Sequence, residues 1–310
     1  MCKPKVIVLC GPTASGKTSL SIELAKRING EIISCDSMQI YKDMDIGTAK
    51  PTEQEKQGIK HYLLDFLSPE VRYSVADYKK DAEKAIEEIL KKRKVPIIVG
   101  GTGLYINSLI YNIEYKDSKI DIDYRNKLEK MVVEKGLENL YEMAQKIDPE
   151  AMKNISHNDK KRIMRVLEIY NETGKTKTEL EIESRKNEPK YNYIVFALDM
   201  DRDKLYERIN KRVDIMLKNG LIHEVEKLIN TYKIMPTAMQ GLGYKEVVEY
   251  LKGNCTEEEM VEKIKMETRR YAKRQLTWFR KNKETIWLNG LEEADKNINT
   301  ILEVYSGRTS

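Results

Sequence analysis

Short apolar runs alternate with longer amphipathic stretches along the first hundred residues. Residues 6–10 and 95–99 are apolar and mostly β-branched, which is typical of buried strands, and residues 31–34, Glu-Ile-Ile-Ser, indicate a further short strand. Between them, residues 17–28 and 75–94 repeat apolar positions at helical spacing. Strands that alternate with helices indicate a parallel sheet covered by helices, so the pattern predicts an α/β fold.

The strand pattern then disappears between about residues 114 and 189. Helical patterns replace it at 124–135, 137–147, 158–173 and 177–185, punctuated by the cap-like residues Asp123, Asp148 and Gly174. Strand patterns return at 193–198 and 285–288, with a helix over 202–219 and a long basic helix between them. The chain is therefore predicted to form an α/β core, residues 1–113 and 191–310, interrupted by an all-helical insertion, residues 114–190, that acts as a lid or a binding arm.

Composition narrows the class of protein. The net charge of +5 is modest for 310 residues, so nucleic-acid binding would depend on where the charge lies. Four cysteines and three histidines show no metal-ligand spacing. Without a signal peptide or an apolar run of membrane-spanning length, we expect a cytoplasmic protein with no membrane partner.

A Walker A loop follows the first predicted strand and opens the first predicted helix. Its backbone N–H groups and the helix N-terminus can surround a phosphate chain, Lys17 adds a positive charge, and the Thr18 hydroxyl is placed for Mg²⁺. The sequence thus predicts a phosphate or diphosphate site. The loop consists of Gly11, Pro12, Thr13, Ala14, Ser15, Gly16, Lys17 and Thr18.

The strand at 95–99 lacks the carboxylate with which a Walker ATPase orders Mg²⁺. It ends instead in Gly100-Gly-Thr-Gly103, and Asp65 is only a weak substitute. This disfavours an ATP-driven motor and favours transfer chemistry on a bound diphosphate. Glycines here permit close approach by another backbone or a flat ring, while Thr102, at a helix entrance, is more often an N-cap than a ligand.

Two further features leave alternatives open. Asp36 follows the second strand, at the sheet edge where ligands bind, and is either a general base or metal ligand, or a turn residue that caps a local N–H. Arg208 and Arg212 lie one turn apart on the 202–219 helix, where they either close over a diphosphate or cover a solvated face.

The densest basic feature spans residues 263–283, with nine Lys or Arg and one acid, Glu267. An apolar stripe at Ala272, Leu276 and Phe279 indicates an anchored helix. Basic side chains interleaved with a stripe of Tyr271, Gln275 and Trp278 suit an RNA backbone and unstacked bases. A second cluster, residues 160–165, lies in the insertion, so we expect an extended polyanion to be bound from two sides. The basic residues are Arg269, Arg270, Lys273, Arg274 and Arg280 in the long helix, and Lys160, Lys161, Arg162 and Arg165 in the insertion.

With these motifs, the sequence resembles the tRNA dimethylallyltransferases, also called tRNA isopentenyltransferases. The resemblance is collinear over nearly the whole chain, and the absence of a C-terminal zinc finger implies the bacterial type. The Asp-Ser-Met-Gln and Asp-Ile-Gly-Thr-Ala-Lys-Pro segments are far more specific than a Walker A loop. The matching segments are 11–18, 36–41, 44–51, 100–105, 157–165, 243–244 and 268–278.

The resemblance implies that the loop binds dimethylallyl diphosphate and that the acceptor is the exocyclic N6 of adenine 37, just 3′ of a tRNA anticodon. It implies Asp36 as general base, with Lys17, Thr18 and Mg²⁺ neutralising the departing diphosphate and Arg208 and Arg212 assisting. Thr102 is implied as a further catalytic residue. The insertion would hold the anticodon stem-loop. The implied tRNA-binding residues are Asp36, Ser37, Met38, Gln39, Thr102, Arg125, Lys161, Arg162, Ile163, Met164, Arg165, Gln240, Gly241, Leu242, Gly243, Tyr244 and Lys245. The basic helix adds Arg269 and Arg274 to the predicted tRNA-binding residues.

Base flipping agrees with this reading, because the adenine must leave its stack to meet the allyl carbon. Two alternatives stay open on the residues alone: a P-loop kinase for a small molecule or nucleotide, and a tRNA-binding module with a vestigial loop. The absence of a strand-end carboxylate favours prenyl transfer over the kinase, as does the presence of Asp36. The intact Lys17-Thr18 pair argues against a vestigial loop. We expect a monomer.

Overall fold

The computed structural model describes residues 3–114, 121–184 and 188–307. The chain divides into two compact units, Met1–Ile106 with Tyr191–Ser310, and Asn107–Lys190. The first is an α/β unit and the second is helical. No helix in the described ranges is long and apolar enough to cross a membrane.

A six-stranded, all-parallel sheet forms the centre of the first unit. Its order is β3-β2-β4-β1-β5-β6, which confirms the predicted α/β fold with a parallel sheet. Cys10 and Cys35 both pair with Gly100, so the loops after β1, β2 and β4 leave the sheet at the same level. The strands are β1 Lys5–Cys10, β2 Gly30–Cys35, β3 His61–Tyr62, β4 Val95–Gly100, β5 Asn192–Asp199 and β6 Ile286–Asn289.

Helices of the first unit cover this sheet or pack beside it. Ile7 and Leu9 of β1 and Phe196 of β5 lie in a buried cluster with residues of the first and last helices. A second buried cluster, which includes Tyr41, lies among helices of the C-terminal half. The helices are α1 Lys17–Arg27, α2 Glu53–Lys56, α3 Val75–Lys91, α4 Gly103–Ile110, α9 Arg202–Lys218, α10 Leu221–Thr231, α11 Tyr244–Leu251, α12 Glu257–Phe279 and α13 Ala294–Ser306, with a 3-10 turn at Ala238–Gln240.

Four helices make up the described part of the second unit: α5 Ile122–Ile147, α6 Pro149–Met152, α7 Lys160–Thr173 and α8 Lys177–Ser184. Non-helical dihedral angles at Gly136 (φ 81°, ψ 163°) break α5, which confirms the predicted division between residues 135 and 137. The N-cap of α5 is Asp121 and not the predicted Asp123, because the Asp121 carboxylate accepts the Tyr124 N–H. The predicted end of the last helix at Arg185 lies outside the described residues.

Candidate active site

The Walker A loop connects β1 to α1 and requires left-handed backbone at two positions. Ala14 has φ 63°, and Gly16, directly before α1, has φ 92°. Since Gly16 supplies no side-chain cap, the first N–H groups of α1 remain available to a ligand. A helix N-terminus with free N–H groups favours an anion.

Lys17 lies on the inner side of this loop. Its Nζ donates to the Pro12 carbonyl at 2.6 Å and lies 3.5 Å from Ser15 Oγ. Burial, together with repulsion from Arg212, lowers the pKa of Lys17 to about 8, although the attraction of Asp36 opposes this shift. A bound anion would stabilise the protonated lysine and raise its pKa again, so the loop favours a negatively charged ligand.

Arg208 and Arg212 of α9 both line a cavity of about 540 Å³ with loop residues Ala14 to Thr18. Burial lowers the pKa of Arg212, opposed by Asp36 and Glu55. Its Nε is buried and has no hydrogen-bond partner among the described residues. The exposed Arg208 and the half-buried Arg212 thus face the same cavity as the Walker A loop, and their contact with a diphosphate stays a prediction.

Thr18, in the first turn of α1, has an exposed side chain. Within the described ranges its hydroxyl has no hydrogen-bond partner, whereas the Ser19 and Ser21 hydroxyls donate to the carbonyls of Gly16 and Thr18. The Thr18 hydroxyl is thus free to contact a cation, which fits Mg²⁺. Asp65, the weak substitute for a strand-end carboxylate, pairs instead with Lys50 at 2.7 Å.

Asp36 directly follows β2, and its two carboxylate oxygens have different environments. Oδ1 accepts the backbone N–H groups of Met38 at 2.8 Å and Gln39 at 3.2 Å, so the turn contact is present. Oδ2 receives no hydrogen bond from any described residue, while the carboxylate offsets the lowered pKa values of Lys17 and Arg212. The turn-capping role of Asp36 therefore occupies Oδ1, and Oδ2 remains available as a general base.

Thr102 lies at the entrance of α4, and its Oγ1 accepts the Ser37 N–H at 3.1 Å. The Thr102 side chain therefore contacts the Asp36 turn, because the loops after β2 and β4 leave the sheet side by side.

On α12, the apolar stripe packs as predicted, with Ala272 in a buried cluster with Leu205 and Ile209 of α9. In the neighbouring stripe, Gln275 is buried between two loops and so cannot contact RNA. Tyr271 and Trp278 are half-buried, and the Trp278 ring lies against Gly103.

The exposed cations of α12 are fewer than the sequence indicates. Arg269 donates to Asn210 at 2.6 Å, and Arg280 pairs with Asp199 at 3.0 Å. Lys273 and Arg274 are exposed, and the Arg274 guanidinium lies 5.7 Å from the Tyr271 ring centroid. With Arg270, which pairs with Glu267, they form the exposed basic face of this helix.

In the helical unit, most of the predicted tRNA-binding cations have carboxylate partners. Arg125 and Arg165 both lie near the buried Glu168, at 3.6 and 3.3 Å, and Arg162 pairs with Asp159 at 3.2 Å. Lys161 is exposed and forms no ion pair with a described residue. The side chains of Ile163 and Met164 are buried in the core of the unit.

The segment 240–245, which is predicted to contact tRNA, also contains both exposed and buried residues. Gln240 and Lys245 are exposed, Leu242 is half-buried, and Gly241 and Gly243 are buried. Tyr244 is completely buried, and its hydroxyl donates to Glu224 at 2.7 Å. Only the first and last residues of this segment are exposed, and Lys245 lies 3.5 Å from the Glu246 carboxylate.

Glu224 is a residue that the sequence analysis missed. Its carboxylate accepts the backbone N–H groups of Asp45, Ile46 and Gly47 at 2.9, 2.7 and 3.1 Å. A Cβ on Gly47 would lie 2.5 Å from the Tyr244 ring, so this position requires glycine. These contacts hold loop 44–51, whose residues Ala49 and Pro51 line the cavity. A lone acid on a helix has no sequence signal for such a role.

Several known proteins are similar to this chain over nearly all of its length. The family model described as IPP transferase matches residues 39–282. The tRNA dimethylallyltransferase of Acetivibrio thermocellus is 55% identical over 302 residues, with 97% of this chain and 96% of the relative covered. That of Carboxydothermus hydrogenoformans is 49% identical over 294 residues, covering 95% and 94%.

This chain belongs to the tRNA dimethylallyltransferase family.

Solved structures of family members agree with the fold. The tRNA isopentenylpyrophosphate transferase of Bacillus halodurans has a TM-score of 0.73 and 43% identity, with 98% of this chain and 96% of that chain covered. A eukaryotic dimethylallyltransferase described as acting on tRNA has a TM-score of 0.81 and 30% identity, covering 99% and 80%. The family match begins at Gln39, after the Walker A loop and Asp36.

Proposed function

We infer that this chain transfers a dimethylallyl group from dimethylallyl diphosphate to tRNA. The observation that carries the proposal is the Asp36 carboxylate, whose Oδ2 makes no described hydrogen bond, in the electrostatic environment of two half-buried cations, Lys17 and Arg212. Such a site suits a diphosphate leaving group beside a general base. The relatives named tRNA dimethylallyltransferase support the same activity.

The acceptor in this proposal is the exocyclic N6 of adenine 37, just 3′ of the anticodon. N6 forms a bond to C1 of the dimethylallyl group while the bond from C1 to the diphosphate oxygen breaks. The N6 proton passes to Asp36 Oδ2, since Oδ1 is occupied by the Met38 and Gln39 N–H groups. Lys17, Arg208 and Arg212 stabilise the charge that grows on the departing diphosphate. Thr102 keeps the Asp36 turn in place through Ser37.

The Thr18 hydroxyl would hold Mg²⁺ together with oxygens of the diphosphate. When bound, the ion supplies further neutralisation of the leaving group. The exposed Thr18 side chain and the engaged hydroxyls of Ser19 and Ser21 support this assignment.

We propose that the tRNA contacts include the exposed basic face of α12, with Lys273 and Arg274, and Lys161 in the helical unit. Free cations bind phosphates with release of counterions, whereas cations already paired with carboxylates contribute less. The adenine must leave its stack to reach the allyl carbon, at a modest unstacking cost.

Incubation with dimethylallyl diphosphate, Mg²⁺ and unmodified tRNA tests the proposal. Mass spectrometry of nuclease digests should find one dimethylallyl group, on the adenine next to the anticodon. A matched tRNA with guanine at that position lacks the exocyclic N6 and should stay unmodified. Phosphorylation of a small metabolite by ATP with no change in the tRNA would favour the kinase, and tRNA binding without any turnover would favour a binding module.

A further inference from the structure

Gln275, near the C-terminal end of α12, connects two loops of the candidate site. Its Oε1 accepts the backbone N–H of Thr13 in the Walker A loop at 2.9 Å. Its Nε2 donates to the carbonyl of Gly101, in the loop after β4, at 2.9 Å. Gln275 is buried, and both ends of its amide hydrogen-bond backbone groups of the loops that follow the neighbouring strands β1 and β4.

The packing around this amide leaves no spare room. A Cβ on Gly101 would lie 2.1 Å from Gln275 Nε2, and its next neighbours would be more than 3 Å away. One turn further along α12, a Cβ on Gly103 would lie 2.2 Å from the Trp278 ring. The glycines of this loop therefore allow α12 to approach closely enough for the two hydrogen bonds of Gln275.

The contact with Thr13 lies outside the cavity. The cavity is lined by residues from Ala14 onward, and Thr13 is not part of its wall. Gln275 thus holds the backbone N–H of the residue directly before the loop residues that line the cavity. Reactive groups must be held to within about 1 Å, because larger misplacement costs on the order of 10²-fold in rate.

We propose that Gln275 is a positioning residue for the diphosphate site, which sets the conformation of the Walker A loop through Thr13 and ties it to the loop at Gly101. This inference rests on the proposed function. Gln275 touches neither the ligand cavity nor, by its burial, the RNA surface. Its loss should therefore weaken diphosphate binding and leave tRNA binding unchanged.

Gln275→Leu in the full chain tests this, because leucine has a similar volume and makes neither hydrogen bond. With Mg²⁺ present, the calorimetric Kd for inorganic pyrophosphate should rise about tenfold, the loss expected for one or two hydrogen bonds. The KM for dimethylallyl diphosphate should rise in parallel, while the Kd and KM for tRNA stay within about twofold. An unchanged Kd for pyrophosphate overturns the inference.

Ile264→Ala is the matched control for lost stability. Ile264 is buried on the same helix, in the cluster with Tyr41 and Tyr244, and is not part of the stripe that contacts the two loops. This variant should lower the melting temperature at least as much as Gln275→Leu and keep the wild-type Kd for pyrophosphate. If it weakens pyrophosphate equally, Gln275 contributes only to general stability and the inference is wrong.

A double-mutant cycle with Gly101→Ala gives a second, independent measurement. In the wild-type background the new methyl should displace the Gln275 amide and raise the pyrophosphate Kd about tenfold. In the Gln275→Ala background the same change should add less than about twofold, since the obstructing group is gone. Additive losses overturn the inference. If the wild-type chain transfers dimethylallyl to tRNA, the proposed function stands whatever the result for Gln275. If the wild-type chain binds no pyrophosphate, the proposed function and the Gln275 inference are both wrong.

Discussion

Two loops border the same cavity, and both stand out in the sequence, yet the structure gives them different properties. In the Walker A loop, burial and repulsion from Arg212 lower the pKa of Lys17, whose Nζ hydrogen-bonds two oxygens of the loop and pairs with no carboxylate among the described residues. In loop 44–51, Lys50 pairs with Asp45 at 2.6 Å and Asp65 at 2.7 Å, and Glu224 accepts three consecutive N–H groups. The lysine of the first loop is thus available to pair with an anion, whereas the lysine of the second is already paired with carboxylates of the protein.

A family-specific motif can therefore stabilise the site without taking part in the reaction, as loop 44–51 does. The amide of Gln39, three residues after Asp36, donates to the carbonyls of Thr48 and Ala49 at 3.1 and 3.2 Å. Loop 44–51 thereby connects the Asp36 turn to the cavity wall. We expect substitutions in the Walker A loop and at Asp36 to impair the reaction, and those that loosen loop 44–51 to act mainly on stability and substrate affinity.

The largest effect is expected for Asp36→Asn. The amide oxygen still accepts the Met38 and Gln39 N–H groups, but the base is lost, so the single-turnover transfer rate should fall by about 10²–10⁴-fold. Affinity for tRNA should change little, which a filter-binding titration measures. A normal rate at saturating substrates would make Asp36 a turn residue only.

Lys17→Met should lower kcat by about 10²–10³-fold, because it removes a contact to the charge on the leaving diphosphate. The melting temperature reports whether the loop still folds. Wild-type turnover in this variant would contradict the assignment of the Walker A loop to the diphosphate.

The lowered pKa of Lys17, about 8, predicts a pH dependence of diphosphate binding. The protonated lysine binds the anion, so pyrophosphate affinity should fall as pH rises through about 8, well below the usual range for lysine. Calorimetric titrations of the wild type and Lys17→Met from pH 7 to 9 separate this from the ligand's own ionisation. Parallel profiles for the two proteins would exclude Lys17 as the cause.

Glu224→Gln tests the second loop. Every orientation of the new amide places an NH₂ group against backbone N–H groups or the Tyr244 hydroxyl, so we expect a loss of about 1–3 kcal/mol in the free energy of unfolding. The kcat at saturating substrates should change less than about tenfold, with a rise in the KM for dimethylallyl diphosphate. A kcat loss as large as that of Lys17→Met would erase the distinction between the loops.

The smallest effect is expected away from both loops, for Lys273→Ala combined with Arg274→Ala. These side chains are exposed, so their removal should weaken tRNA binding and reduce the slope of log K against log salt by about 1–2. Pyrophosphate affinity should match the wild type. An unchanged salt slope would place the RNA elsewhere on the surface.

The sequence by itself determined the elements with strong local patterns. The apolar runs of β1, β2 and β4, the Walker A loop and the break at Gly136 were all predicted, because each depends on residues adjacent in the chain. The two-residue strand β3 and the helices α10 and α11 were not predicted. β3 is too short for a periodic pattern and exists only by pairing with β2.

The tertiary structure alone decided which residues support the site. Gln275 and Thr13 are 262 positions apart, and Glu224 and Asp45 are 179 apart. Helical spacing placed Tyr271, Gln275 and Trp278 on one face correctly, but the same spacing suits an RNA surface and a buried contact equally well. The two alternatives are distinguished only by the tertiary structure, in which the ends of parallel strands lie against this face of α12. The partner of a side chain depends on the path of the whole chain and not on its neighbours in sequence.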